Sequence, residues 1–507
     1  MPFGMGSADN RGMDVQQFKE DVRSGRITLD RLVELVVSLQ RRINELERQL
    51  GTAATPKPCE PCSMRAEEQR QEMRGRKHRR RKRRSRGGRK KTREKIARAV
   101  RSEKVFPKDV PEAKCWLSHT RAVWRIENGQ AVLVAYEIYR GPGDHYGKIS
   151  GVFGRSEFGI EVVLAIAYLV YIVGLSFDKT CLLMNFFQNL NLPKSQAEAL
   201  MKRLARRWEG EFDVLCMLLA NSLVVHTDET GWSINSVWAF LSEKARVIFF
   251  GVHKDAETLR QIVDVATFGG LLISDDAPVY ANFTLSQKCW AHLLRKAIKL
   301  TLLEPTNSKY RQFADRLWDI YQEACRVQRD KRLSPAGRAE KVGMLDDKIL
   351  DLCGPMWVAE LPPGEGPEDD YRLLCNELMR LMLGRQLFTF VTTVPVEKPN
   401  GETMAVSGTN NESERTLRSP AQARDTGRTN KTPPGARRQT VILSVLESLR
   451  QYLSAFTLSN VIQEVGHWLD TGRSCFTRLA KKLGLSSGQS PANYPSVLDR
   501  LLPEPSG

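Results

Sequence analysis

"SLVVHTDETGWSI", residues 222–234, is the stretch on which the fold turns. Leu223, Val224 and Val225 form a short apolar run of the kind that reads as a buried strand. The run stops at His226, Thr227, Asp228, Glu229 and Thr230, an abrupt polar and acidic block. Two readings compete. An Asp there can cap a helix or a turn, or it can be a metal ligand that needs a rigid strand beneath it. The residues that follow decide between them.

"VWAFLSEKARVIFFGVHK" predicts two strands, over 237–242 and 247–252, with a tight polar turn between them. "DAETLRQIVDVAT" predicts a helix with Leu259, Ile262 and Val263 on one face. "GGLLISDDAPVY" predicts another buried strand, ending in Asp275 and Asp276. The order is therefore a three-strand meander, a crossover helix and a fourth strand. With the fourth strand parallel beside the first, Asp228 and Asp275 sit side by side at the top of one sheet, an RNase H-like arrangement. Two like charges so close are costly unless a divalent cation neutralises them. Carboxylate oxygens suit magnesium or manganese. Two such ions ~3.5–4 Å apart activate a water and stabilise a leaving oxygen in phosphodiester cleavage.

Charge points to the same substrate class. The net charge is +18 over 507 residues, and its distribution is uneven. The tract "RGRKHRRRKRRSRGGRKKTREK", Arg74 to Lys95, holds fifteen Lys or Arg and one Glu, which leaves only +4 for everything else. Such a block repels itself and buries no apolar surface, so it is expected to be disordered when free. Its natural partner is a polyanion, with Arg79, Arg80, Arg81, Lys82, Arg83 and Arg84 as the densest phosphate-contacting run. The alternative is a solubilising linker. Ten cysteines spread over the chain form no secreted-type framework, which points to a reducing cytosol. No signal peptide is apparent at the start. The longest apolar stretch, "VVLAIAYLVYIVGL" at 162–175, is shorter than the ~20 residues a bilayer needs and predicts a buried core helix.

Other segments supply accessory functions. In residues 29–50, Leu29, Val36, Ile43 and Leu50 occupy one heptad position and Leu32, Leu39 and Leu46 the other. This pattern favours a parallel two-stranded coil, hence a homodimer or higher oligomer; an amphipathic helix packed on its own chain is the alternative. Cys59 and Cys62 have C-x2-C spacing, and Cys115 with His119 in "CWLSH" would complete a zinc site across the basic tract. Asn128-Gly129 between two β-rich runs predicts a type I′ hairpin. Residues 176–208 read as two short helices around a turn, the second carrying Lys202, Arg203, Arg206 and Arg207. That pattern fits either a helix-turn-helix DNA reader or plain helical packing.

The third carboxylate comes with a resemblance. The blocks "DETGW", "SDDAPVYAN", "QKCWAHLLRK" and "TNNESERTLR", in this order, resemble the transposases of the insertion-sequence-66 group over roughly residues 110–470. The resemblance implies an α/β RNase H-like DDE core interrupted by a helical insertion. The implied triad is Asp228, Asp275 and Glu414, with intervals of 47 and 139 residues. Glu412 is the rival third acid, on a different face of the same helix. Trp290 and His292 are placed beside the metals, and His292 either contacts the scissile phosphate or is a satisfied core histidine. Arg415 and Arg418 either hold DNA phosphates or pair with nearby acids. Asn410 and Asn411 either cap the helix, the preferred reading, or touch DNA. The chain departs from the family at Asp276, where a small residue is usual and where a second acid competes with Asp275. It departs again before the core, where one C-x2-C and a long basic tract replace a more compact cysteine-rich site. The segment 419–438, basic and broken by Pro and Gly, is expected to be a DNA-contacting loop.

These readings divide the chain as follows. Residues 1–55 form the coiled coil, 56–105 the C-x2-C and disordered basic tract, and 106–150 a small hairpin region with a degenerate zinc site. A helix-turn-helix-like region covers 151–215. The first part of the core is 216–300, the helical insertion 301–408, the final core helices 409–480, and the tail 481–507. The expected activity is that of a DNA transposase. It nicks transposon ends and joins the 3′-OH to target DNA, with two magnesium or manganese ions per site. It acts on double-stranded DNA in a bacterial cytoplasm, nucleoid-associated when bound, without a membrane, and with accessory proteins left open. A catalytically inactive or domesticated DNA-binding relative, and a structure-selective nuclease on the same core, are the alternatives.

Overall fold

The computed structural model describes residues 87–357, 366–485 and 496–503, together with Ser24 and Val37. The chain divides into residues 1–85 and 86–507. The heptad positions of residues 29–50, Cys59 and Cys62, and Arg79 to Arg84 lie outside the described residues.

The end of the basic tract departs from the sequence expectation. From Gly87 it is helical, as α1 (Gly87–Ala97). Contacts offset its self-repulsion: Lys95 pairs with Glu157 at 2.6 Å, and Ile96 is half-buried. Strand β1 (Arg101–Val105) follows, and then β2 (Trp116–Glu127) and β3 (Gln130–Arg140). The hairpin turn forms where Asn-Gly predicts it. Asn128 (φ 50°) and Gly129 (φ 78°) both take the left-handed conformation that a type I′ turn requires. The three strands form a sheet of order β1-β3-β2, with β1 parallel to β3.

The apolar run at 162–175 is the buried helix α2 (Ile160–Ala167), continued by a π-turn over Tyr168–Ile172. No helix among the described residues is long and apolar enough to cross a membrane. Next come α3 (Phe177–Gln188) and α4 (Lys194–Ala220). Here the expectation of two short helices needs correction, because α4 has 27 residues. Leu200, Leu204, Trp208, Phe212, Leu215 and Leu219 form a continuous apolar stripe that is buried in the main core. A helix committed to the core along its whole length is not a free recognition helix. Only its opposite face, with Lys202, Arg203, Arg206 and Arg207, is exposed.

The main sheet comprises β4 (Val224–Gly231), β5 (Ser236–Ser242), β6 (Arg246–Val252), β7 (Leu271–Ser274) and β8 (Ser286–Lys288), in the order β6-β5-β4-β7-β8. The meander β4-β5-β6 is antiparallel. Helix α5 (Ala256–Ile262) then crosses over and returns the chain as β7, parallel to β4. Side-chain alternation gives the sheet two faces. Val225 and Leu272 enter one core with α4, whereas Val224, Leu271 and Ile273 enter a second. That second core is built mainly by α6 (Trp290–Leu303), α7 (Ser308–Arg329), α8 (Pro335–Cys353), α9 (Pro367–Leu383) and α10 (Thr389–Thr392).

The chain returns through α11 (Asn411–Asp425) and α12 (Pro433–Tyr452). Helix α12 covers the edge strand β6. Thr440, Ser444 and Ser448, spaced one helical turn apart, accept the N–H groups of Phe250, Ile248 and Arg246 at 2.9–3.0 Å. The free edge is thus satisfied by side chains and closed to another strand. The segment expected as a basic loop after Glu414 is correspondingly short. Helix α11 runs through Pro420 to Asp425, and Pro433 opens α12.

Candidate active site

Strand β4 does not stop at the acidic block. Its antiparallel pairing with β5 keeps it extended to Gly231, with Asp228 opposite Ala239. On its other side the parallel register is Val224 to Leu271, Val225 to Leu272 and His226 to Ile273. Two residues further on, that register sets Asp228 level with Asp275, the first residue beyond β7. In-register parallel neighbours point to the same face, so the two carboxylates share one side of the sheet. Asp228 accepts the Glu229 N–H at 2.9 Å, and Asp275 accepts the Ala277 N–H at 3.2 Å. Burial raises the Asp228 carboxyl to about 7, with the charges of Glu229, Asp275 and Glu414 adding to the effect and the Glu229 N–H opposing it.

Helix α11 carries both candidates for a third acid, Glu412 and Glu414. Its position is fixed by Asn410, which is fully buried. The Asn410 side chain caps no helix N–H, contrary to the sequence expectation. Its Nδ2 instead donates to the Thr227 carbonyl at 2.7 Å, and its Oδ1 accepts from the Ser413 hydroxyl. Its backbone N–H donates to Cys289 Sγ at 3.1 Å. One residue thereby ties α11 to β4 and to the start of α6.

This anchoring separates the two rival acids. Glu412 turns to the β6 side and pairs with Arg246 at 2.7 Å. Burial pushes its carboxyl up, but Arg246 and His226 outweigh this and hold it below its ordinary range. A cavity of about 430 Å³ lies on that flank, lined by His226, Arg246, Glu412 and Arg415 among others. Glu414 turns to the α6 side. It accepts from Arg295 Nη2 at 2.8 and 3.1 Å, and its Oε1 lies 3.6 Å from His292 Nδ1. Of the two, Glu414 is the one whose charge is felt at Asp228.

The other sequence candidates are distributed as follows. Asp276 is engaged by Arg380 from α9, which occupies the carboxylate that would compete with Asp275. Trp290 is not a neighbour of the acids. It is fully buried, donates from Nε1 to the Leu387 carbonyl at 2.7 Å and stacks on Tyr321, as part of the helical insertion's core. Arg415 and Arg418 are exposed on α11. On α4, the Arg207 guanidinium lies 5.5 Å over the Phe153 ring. Cys115 donates to the Pro111 carbonyl at 3.5 Å, and His119 Nδ1 lies 3.2 Å from Ser118 Oγ. Among the described residues the one group with metal-ligand spacing is Cys289, His292 and Glu414.

Three features escape sequence reading. Glu229 points to the opposite face from Asp228, where Tyr280 donates to it and Lys254 pairs with it at 2.8 Å. The hydrogen bond to Glu229, together with the charges of Asp275 and Asp228, raises the Lys254 ammonium. Lys288 is buried beneath the acids, with Nζ donating to Ser274 Oγ at 3.2 Å and to the Asp275 carbonyl at 3.1 Å. Burial lowers its pKa against the pull of Asp276 and Asp275. Arg295 carried a usable signal, since it follows His292 by three residues on the same helix and so faces the same way.

No curated protein matches the chain. Residues 155–356 match the model of the transposase IS66 family, a span that holds Asp228, Asp275 and His292 and ends before Glu414. Across that span the chain is similar to the transposase IS66 family.

Proposed function

We propose that this protein is a DDE transposase whose core is RNase H-like. It would cut DNA at transposon ends and transfer the 3′-OH to target DNA with Asp228, Asp275 and Glu414 as its catalytic acids. The observation that supports this reading is the in-register pairing that sets Asp228 level with Asp275; Glu414, on a helix pinned through Asn410, is near enough for its charge to act on Asp228. The sheet order β6-β5-β4-β7-β8 supports the RNase H-like reading.

The donor set fits magnesium or manganese. Asp228, Asp275 and Glu414 offer only hard oxygens, and the raised Asp228 carboxyl marks a place where positive charge is wanted. Bound divalent ions would supply that charge and stabilise the charge developing on a phosphate under in-line attack. The chain's own residues do the positioning. β4 and β7 hold two carboxylates with little freedom, and Asn410 fixes the helix that holds the third. The exposed cations on α4, and Arg415 and Arg418 on α11, would bind DNA phosphates without reading sequence.

The test is a nicking assay on a DNA duplex carrying transposon ends, with and without Mg2+ or Mn2+. Asp228→Asn, Asp275→Asn and Glu414→Gln should each abolish cleavage and leave duplex binding within a few-fold of the parent. Cleavage by Glu414→Gln alongside loss in Glu412→Gln would overturn the assignment of the third acid. Cleavage unaffected by all three would overturn the function.

A further inference from the structure

The three hard carboxylates leave a polar atom beside Glu414 unexplained. His292 sits in the first turn of α6, and its Nδ1 is buried with no hydrogen-bond partner. The nearest acceptor, Glu414 Oε1, is 3.6 Å away, beyond hydrogen-bonding range. A buried ring nitrogen without a partner is costly unless it serves the reaction or an ion completes it. The spacing suits an ion. Two ligand bonds of ~2.1 Å at between a right angle and a tetrahedral angle hold their donors ~3.0–3.4 Å apart, so the 3.6 Å separation needs to close by only a few tenths of an ångström for both atoms to hold one ion.

Cys289, the third member of the group, is a poor ligand. Burial raises its thiol, and its sulfur already accepts the Asn410 N–H at 3.1 Å. It serves as a junction between α6 and α11. Arg295 is the group that a cation would displace. It is about half exposed and holds Glu414 from the solvent side, so it can swing away without breaking core packing.

We propose that His292 Nδ1 is a direct ligand of the divalent cation bound by Glu414, which gives one of the two metal positions a mixed nitrogen–oxygen donor set. This rests on the metal-dependent reading above. A nitrogen donor discriminates against magnesium, which prefers oxygen and keeps its waters, and favours manganese. Arg295 then acts as the counter-ion of Glu414 while the position is empty.

The experiment is pulsed electron paramagnetic resonance on the full chain loaded with Mn2+, with a parallel Mn2+ titration. The parent should show nitrogen modulation of the Mn2+ signal, and it should change when the protein is made with isotopically labelled histidine. The modulation should disappear in His292→Ala and His292→Gln. Their affinity for the weaker Mn2+ should fall ~10-fold or more, since even residues behind a ligand cost 10–100-fold. His292→Asp should restore binding and shift the preference toward Mg2+. Labelling identifies a histidine nitrogen in the unaltered protein, so the result does not depend on a variant folding. Mn2+ that binds in an Asp228-dependent way without nitrogen modulation, or with modulation that survives in His292→Ala, would overturn this inference and leave the transposase reading intact. Absence of any Mn2+ that Asp228→Asn removes would overturn both.

Discussion

Removing the charge of Asp228 should stabilise the metal-free protein while destroying its chemistry. The carboxyl is raised from its ordinary 3.8 to about 7, first by burial and then by Glu229, Asp275 and Glu414. At ~1.4 kcal/mol per unit, that shift corresponds to ~4 kcal/mol against the ionised form. Partial access to water reduces this to ~2–4 kcal/mol. The sign follows from linkage. Between pH 3.8 and about 7 the folded state holds a proton that the unfolded state has lost. Stability therefore falls as pH rises through that window, and the full cost is present above it. Asp228→Asn carries no such cost. In chelator at about pH 8 it should unfold at a temperature higher by ~2–5 °C for a chain of this size. The advantage should shrink toward zero as the pH approaches 4. With Mn2+ in large excess the order should reverse, because the parent alone binds the ions and gains the free energy of that binding. Thermal unfolding monitored by circular dichroism across this pH range, with and without Mn2+, reads all three effects. A metal-free Asp228→Asn protein that is no more stable than the parent at about pH 8, or whose advantage is the same at every pH, would refute the electrostatic argument.

Glu412→Gln should retain metal-dependent cleavage yet lose ~1–3 kcal/mol of stability in urea, because it removes the closer of the two carboxylates that the half-buried Arg246 pairs with, Glu412 at 2.7 Å and Glu447 at 3.7 Å. Asn410→Ala should lose a similar ~1–3 kcal/mol through the unpaired Thr227 carbonyl. Its cleavage rate should fall by a larger factor than folding accounts for, since Glu414 loses its anchor; a rate that merely tracks the folded fraction would exclude the positioning role. Deleting residues 74–86 should flatten the slope of log affinity against log salt by several units, at ~0.9 per phosphate contact released. It should leave discrimination between transposon ends and random duplex unchanged in a paired salt titration. Charged residues at Leu39 and Leu46 should reduce the mass seen by light scattering, because they place charge in a heptad seam; an unchanged mass would count against assembly through that segment.

The sequence by itself determined the local elements and their order. Strands β4 to β7 and helix α5 are legible because alternation, apolar runs and an intervening amphipathic helix are properties of short windows. The Asn128-Gly129 turn is legible because two consecutive left-handed residues leave almost no other conformation. Even the pairing of Asp228 with Asp275 follows once the two strands are taken as parallel, since both sit at matching distances from their strand starts. The choice between Glu412 and Glu414 is of another kind. Both lie in one turn of α11, and spacing alone says only that they face different ways. The tertiary structure separates the two, because Arg246 from β6 pairs with one while His292 and Arg295 from α6 meet the other. The same holds for Asp276, silenced by Arg380 from more than a hundred residues away, and for Trp290, drawn into the insertion's core. Helix α4 shows the limit most clearly. Its basic face is written in the sequence, but its apolar stripe has meaning only against the sheet that buries it. Propensity and periodicity act over a few residues, whereas the charge and burial that assign a role to a side chain come from segments that only the fold brings together.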